Sequence, residues 1–294
     1  MRKVLLLGNG ITYTTGGISW NDIITNMAKK YNPSCSLSDI EKQKKSTLPM
    51  PLQAVTASNN RINEYLFNNQ RRFYGKITNE KKRQFLQRIL SVGFDDILTT
   101  NYSYEIEIAA TEKNDISNYQ LDKIRRTTRN HKKAEGKYLL HTYNEVNYMG
   151  VSNRVWHIHG VAKNPSSMVI GHYYYGNLVS RYSNALVSAH QRFRDNLDVY
   201  TSWLDGFIMG DVFILGCGFD PSEFDLWWLV ERKKIERMNL GKIFYFAPKW
   251  ERDNNCEKYE LMNVYGIEVK DDITNSTKNY DLFYEEALNQ NIKA

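Results

Sequence analysis

The sequence predicts an α/β protein built on a doubly wound parallel sheet with an inserted helical subdomain. Three observations predict it. Apolar runs at Lys3–Leu7, Asp95–Thr100 and Val212–Leu215 stop abruptly at glycine or asparagine, as buried parallel strands do. Segments with helical spacing alternate with such runs, the pattern of a sheet covered on both faces. Between the first two runs lie roughly 80 mainly helical residues, where a simple crossover needs only about a dozen.

Size and composition agree. The chain has 294 residues, 41% of them hydrophobic, with 20 tyrosines to add semi-polar packing surface. No apolar run reaches the length of a membrane span, and the Val4–Leu7 run is too short for a signal-peptide core, so a cytoplasmic protein is expected. Cys35, Cys217 and Cys256 are widely spaced and form no C-x-x-C pair, so neither a disulfide framework nor a structural zinc site follows. The net charge of +6 comes from scattered basic clusters, read first as solvated helix faces and second as an attraction for anions. No motif of a nucleic-acid reader is present, so direct nucleic-acid binding is not expected.

In chain order, Lys3–Leu7 is the first strand and Gly8-Asn9-Gly10-Ile11-Thr12 follows it. Glycines there allow a sharp turn and let backbone N–H groups face a phosphate. The full dinucleotide fingerprint G-x-G-x-x-G fails at its sixth position, which is Tyr13. Ser19 is a candidate helix cap with Asp22 in the capping-box position. Further helices are expected over about 51–73 and 78–92, the second capped by Thr78 and stopped by Gly93. Asp95–Thr100 is the second strand and Asn101 stands just past its end. A polar helix is expected over about 104–129. Tyr138–Tyr143 and Asn153–His159 read as strands of a hairpin that turns near Gly150. Ser167–Gly171 reads as a short strand and about 178–209 as a long helix. Val212–Leu215 ends in Gly216-Cys217-Gly218, after which Ser222 caps a helix with Asp225 in the capping-box position. Lys242–Phe246 and Ile267–Val269 complete the sheet.

Four strand ends therefore carry distinctive groups: Gly8-Asn9-Gly10, Thr100-Asn101, His159 and Gly216-Cys217-Gly218. In a doubly wound sheet all four open onto one edge, where ligands of this fold class bind. Taken singly, each has an ordinary packing or turn explanation; the convergence is what carries weight. His157 and His159 share a side by the period of two, and His157 is read as structural.

At these residues the chain resembles a known family. Leu7-Gly8-Asn9-Gly10-Ile11-Thr12, Thr99-Thr100-Asn101-Tyr102, His157-Ile158-His159-Gly160 and Leu215-Gly216-Cys217-Gly218 look like the ordered motifs of sirtuin-like domains, closest to the bacterial group associated with anti-phage defence. Ile170-Gly171-His172-Tyr173 and the stretch from Phe219 to Trp228 are also similar to that group. The resemblance implies a Rossmann-like core, about 1–12, 94–102 and 138–294, with a helical insertion over about 19–93, in a single sirtuin-like domain. It implies NAD as substrate and cleavage at the nicotinamide–ribose bond, depleting NAD to halt infection. The four zinc cysteines of the deacylase branch are missing, so no zinc is expected. The aspartate usual two residues after the asparagine is Ser103 here.

The resemblance also implies roles. Asn101 would orient the ribose hydroxyls and the attacking water, and His159 would act as general base. Gly8, Asn9, Gly10 and Thr12 would cradle the pyrophosphate, with Thr100 beside Asn101. Gly216 and Gly218 would admit the adenosine half, and Asp22 is a further candidate near the nicotinamide pocket. Such a hydrolase needs an off state, so a homo-oligomer or a separate regulator, such as a HerA-type ATPase, is expected. The alternatives are an NAD- or ADP-ribose-sensing module without turnover, and a deacylase or ADP-ribosyltransferase needing a second substrate.

Overall fold

The computed structural model describes residues 1–13, 20–32, 50–128, 137–194, 200–236, 241–271 and 279–289. Ser19 lies outside these. Among the described residues eight strands form one sheet: β1 Lys3–Leu7, β2 Asp96–Thr99, β3 Arg125–Thr127, β4 Thr142–Tyr148, β5 Val151–His157, β6 Asp211–Leu215, β7 Ile243–Phe246 and β8 Ile267–Lys270. Their order is β3-β4-β5-β2-β1-β6-β7-β8. From β5 to β8 every neighbour pairs parallel, while β4 and β3 extend one side antiparallel. The chain steps from β1 outward through β2 to β5, then returns to the other flank of β1 at β6. The parallel strands thus have the order of a Rossmann-like sheet, whose ligand crevice opens where the direction reverses.

The apolar runs are buried on both faces. Leu5, Leu7, Ile97 and Val155 join one core with helices Trp20–Tyr31, Met50–Ser58, Ile62–Asn68 and Glu80–Val92. Val4, Leu6, Leu98 and Trp156 join the other, with helices His172–Arg194, Trp203–Met209, Phe224–Ile235 and Cys256–Val264. Alternation along one strand feeds two cores, which explains the uninterrupted hydrophobicity of β1. The described core residues between β1 and β2 thus join the first of these two cores. No helix among the described residues is long and apolar enough to cross a membrane.

Several expected elements differ. The 51–73 helix is broken: Asn59 and Asn60 take positive φ (47° and 61°), and helix Ile62–Asn68 restarts beyond them. Asn79, not Thr78, caps Glu80–Val92, its side chain accepting from Lys81 N, while Gly93 ends the helix at φ 77° as expected. The 104–129 stretch holds two short helices, Glu105–Ala109 and Asn118–Ile124, and the edge strand β3, whose pairing partner lies too far along the sequence for local pattern to show it. The hairpin turns at Met149–Gly150, both with positive φ, and its first strand is β4 rather than Tyr138–Tyr143. Ser167–Gly171 forms no strand; one bond, Val169 N to His159 O at 2.8 Å, ties it beside the site. In place of one 178–209 helix there are two, His172–Arg194 and Trp203–Met209. Ser222 does not cap the Phe224–Ile235 helix, whose N-cap is Glu223.

Candidate functional site

A cavity of about 980 Å³ opens at the carboxyl edge of the sheet. Gly8, Asn9 and Gly10 after β1, Thr100 and Asn101 after β2, His159 after β5, and Gly216 and Gly218 after β6 all line it. Of the remaining residues expected at the site, Asp22 is exposed on the Trp20–Tyr31 helix, where its neighbour Ile23 reaches the cavity wall and Asp22 does not. The side chain of Thr12 lies outside the described part of the chain.

The glycines hold the edge together. A Cβ on Gly8 or Gly10 would stand 2.4 or 2.7 Å from the Gly216 carbonyl oxygen. Gly8 N donates to Leu215 O at 3.0 Å and Gly10 N to Gly216 O at 2.8 Å. Two amides expected to face a phosphate are therefore engaged with the β6 loop. Gly218 differs: a Cβ there would meet nothing within 4 Å, so what the glycine keeps open is the cavity itself.

The histidines diverge. Strand β5 ends at His157, and Ile158–His159 is already a turn, so the period of two no longer applies. Gly160 makes that turn at φ 95°, where a Cβ would stand 2.1 Å from Ser167 O. His157 has Nδ1 2.8 Å from Asn101 O and Nε2 2.8 Å from Glu107 Oε1. Both neighbours are acceptors, so both ring nitrogens donate and the ring is the imidazolium. Burial disfavours that charge, but Glu107 and the Asn101 carbonyl outweigh it, and the His157 pKa is raised. Asn144 Nδ2 also donates to Glu107 Oε1, at 2.7 Å. His157 thus fixes the backbone of Asn101, whose own N–H donates to Thr99 Oγ1 at 3.1 Å.

His159 is 2% exposed and turns the other way. Its Nε2 donates to Asp225 Oδ2 at 2.8 Å, and the edge of Tyr175 packs at 5.3 Å. Nδ1 has no partner among the described residues, and the ring lines the cavity. Burial lowers its pKa, but Asp225 first and then Glu223 more than offset this, so the pKa is raised. A carboxylate on one nitrogen fixes ring orientation and tautomer and leaves the other nitrogen for chemistry.

Several site residues escaped sequence reasoning. Asp225 stands in the sequence where a helix-capping acid would, and its spacing gives no hint of His159. Glu105 and Glu107 lie in the fully buried helix Glu105–Ala109. Two acids in so apolar a stretch are the one signal that could have marked them, because buried carboxylates need partners. Ser103 donates to Glu105 Oε2, and burial raises the Glu105 carboxyl. Arg71, Arg72 and Lys76, from the segment between β1 and β2, are the cations on the wall among the described residues.

No protein-family model matches this chain, and no curated protein matches it.

Proposed function

We propose that this chain is an NAD glycohydrolase that cleaves NAD to nicotinamide and ADP-ribose. The reading rests above all on Asn101 and His159 sharing one cavity, with a ring nitrogen of His159 left unengaged. The cavity, about 980 Å³, has the size of a dinucleotide site and lies at the reversal point of a Rossmann-like sheet. Both signs of charge line it: Arg71, Arg72 and Lys76 against Glu105, Asp115, Asp220 and Glu223. A substrate that carries both a pyrophosphate and a cationic pyridinium matches such a wall.

In this reading Asn101 orients the ribose hydroxyls and the attacking water. The bond from C1′ to the pyridinium nitrogen breaks, its electron pair leaving with neutral nicotinamide. Water oxygen bonds to C1′, and His159 Nδ1 accepts the water proton. Asp225 carries the resulting imidazolium at the far nitrogen. The Gly8 and Gly10 amides being engaged, the pyrophosphate draws on Asn9 and on the cations of the wall. Incubating the protein with NAD should release nicotinamide and ADP-ribose in equal amounts on chromatography. A protein that binds ADP-ribose and leaves NAD intact would be a sensor instead.

The setting that accompanies this reading is NAD depletion during anti-phage defence, with a homo-oligomer or a HerA-type ATPase as the restraint. Nicotinamide release that changes with protein concentration, or on adding such a partner, tests it.

A further inference from the structure

We propose that Glu223 is a catalytic residue: its carboxylate faces the ribosyl cation that forms as nicotinamide departs. The inference deepens the NAD glycohydrolase reading and rests on it.

Three observations lead there. Glu223 lines the same cavity as His159, on the loop that joins β6 to the Phe224–Ile235 helix. One of its oxygens is held: Oε2 accepts from Asp220 N at 3.2 Å, which fixes the carboxylate on the wall. Oε1 has no partner among the described residues. Two of the other carboxylates nearby are committed to side-chain partners, and Asp115, also on the wall, is exposed. Asp225 is 0% exposed and bound to His159, and Glu105 is 2% exposed and bound by Ser103. Asp220 is exposed and accepts from Ser222 N at 2.8 Å.

The chemistry needs such a group. Cleavage moves positive charge from the pyridinium nitrogen onto C1′ and the ring oxygen of the ribose. A fixed anion in a partly enclosed site lowers the energy of that state without reorganising. Asn101 is neutral, and His159 with a proton would be repulsive; neither supplies negative charge. The ionisable groups around Glu223 are His159, Asp225, Asp220, Cys217, Tyr102 and Tyr175. Burial raises the Glu223 carboxyl to about 7; His159 works against that rise, and the Asp225 charge adds to it. The active, ionised form is therefore gained as pH rises through neutrality.

The test uses Glu223→Gln, which keeps the acceptor for Asp220 N and removes the charge. At pH 8, nicotinamide release from NAD should fall about 10²-fold, while calorimetric affinity for ADP-ribose stays within about threefold, a change of under ~0.7 kcal/mol. A second measurement needs no turnover. 1,4-Dideoxy-1,4-imino-D-ribitol, a ribose mimic with a protonated ring nitrogen, should bind the wild type more tightly than neutral 1,4-anhydro-D-ribitol. Glu223→Gln should erase that preference. Turnover within about threefold of wild type, or a preference that survives the substitution, overturns the assignment. A wild type inert toward NAD that still shows a Glu223-dependent preference overturns the hydrolase reading and the catalytic assignment, and leaves Glu223 as the counter-charge of a bound cationic ligand. An inert wild type with no preference sinks both.

Discussion

Two imidazole–carboxylate pairs stand two residues apart in this chain, and they do different work. His157 with Glu107 and His159 with Asp225 have the same 2.8 Å contact, and both rings are 2% exposed. The difference is the second nitrogen. In His157 it is spent on the Asn101 carbonyl, so the ring can neither give nor take a proton without breaking the structure. In His159 it remains available at the cavity. Burial and a charged partner do not by themselves separate the two histidines; an unspent nitrogen facing a cavity does.

The largest expected effect comes from the side that faces the cavity. His159→Ala should lower nicotinamide release about 10³-fold, since a positioned base is worth about 10²–10⁴; because it strands the buried Asp225 carboxylate, the melting temperature should fall as well. Turnover and thermal melts measured on the same preparation check this. Next comes the other pair. His157→Ala strands the buried Glu107 charge and should cost about 3–5 kcal/mol in denaturant unfolding, with activity lost as the Asn101 backbone loosens. If His157→Ala instead removed turnover and left stability intact, the distinction between the pairs would collapse. Asp225→Asn keeps the shape around His159 and removes the charge behind it, so turnover should fall, by less than in His159→Ala. Smaller still, Arg72→Ala should weaken ADP-ribose binding severalfold, an effect that shrinks at high salt as the screening length shortens.

The pH dependence sharpens the comparison further. The folded pKa values of His157 and His159 are raised, so the folded state binds protons more tightly than the unfolded chain. The stability they contribute is fully present below about pH 6.5, the unfolded value, and is lost as pH rises through the folded values. Denaturant melts across pH 6 to 9 should show this decline, and Glu107→Gln should flatten it more than a change at an exposed residue.

The sheet was legible because β1, β2 and β6 are apolar runs closed by glycine or asparagine, and burial on both faces demands that composition. The meeting of Asn101 with His159 was legible for the same reason, since parallel strands must deliver their ends to one edge. What failed were features set by distant partners. Strand β3 is polar and exists only because β4 pairs with it. Asp225 sits where a helix-capping acid would, and only the fold reveals that it serves a histidine 66 positions away. The side shared by His157 and His159 was misjudged because one glycine, Gly160, ends the strand two residues early. The Gly8 and Gly10 amides looked ready for a phosphate until their bonds to the β6 loop were visible.

One assay tests the account most directly: nicotinamide released from NAD by wild type, Asn101→Ala and His159→Ala, each shown by circular dichroism to be folded. The account predicts release by the wild type and a loss of about 10³-fold in both variants. Release by either variant at the wild-type rate would contradict it.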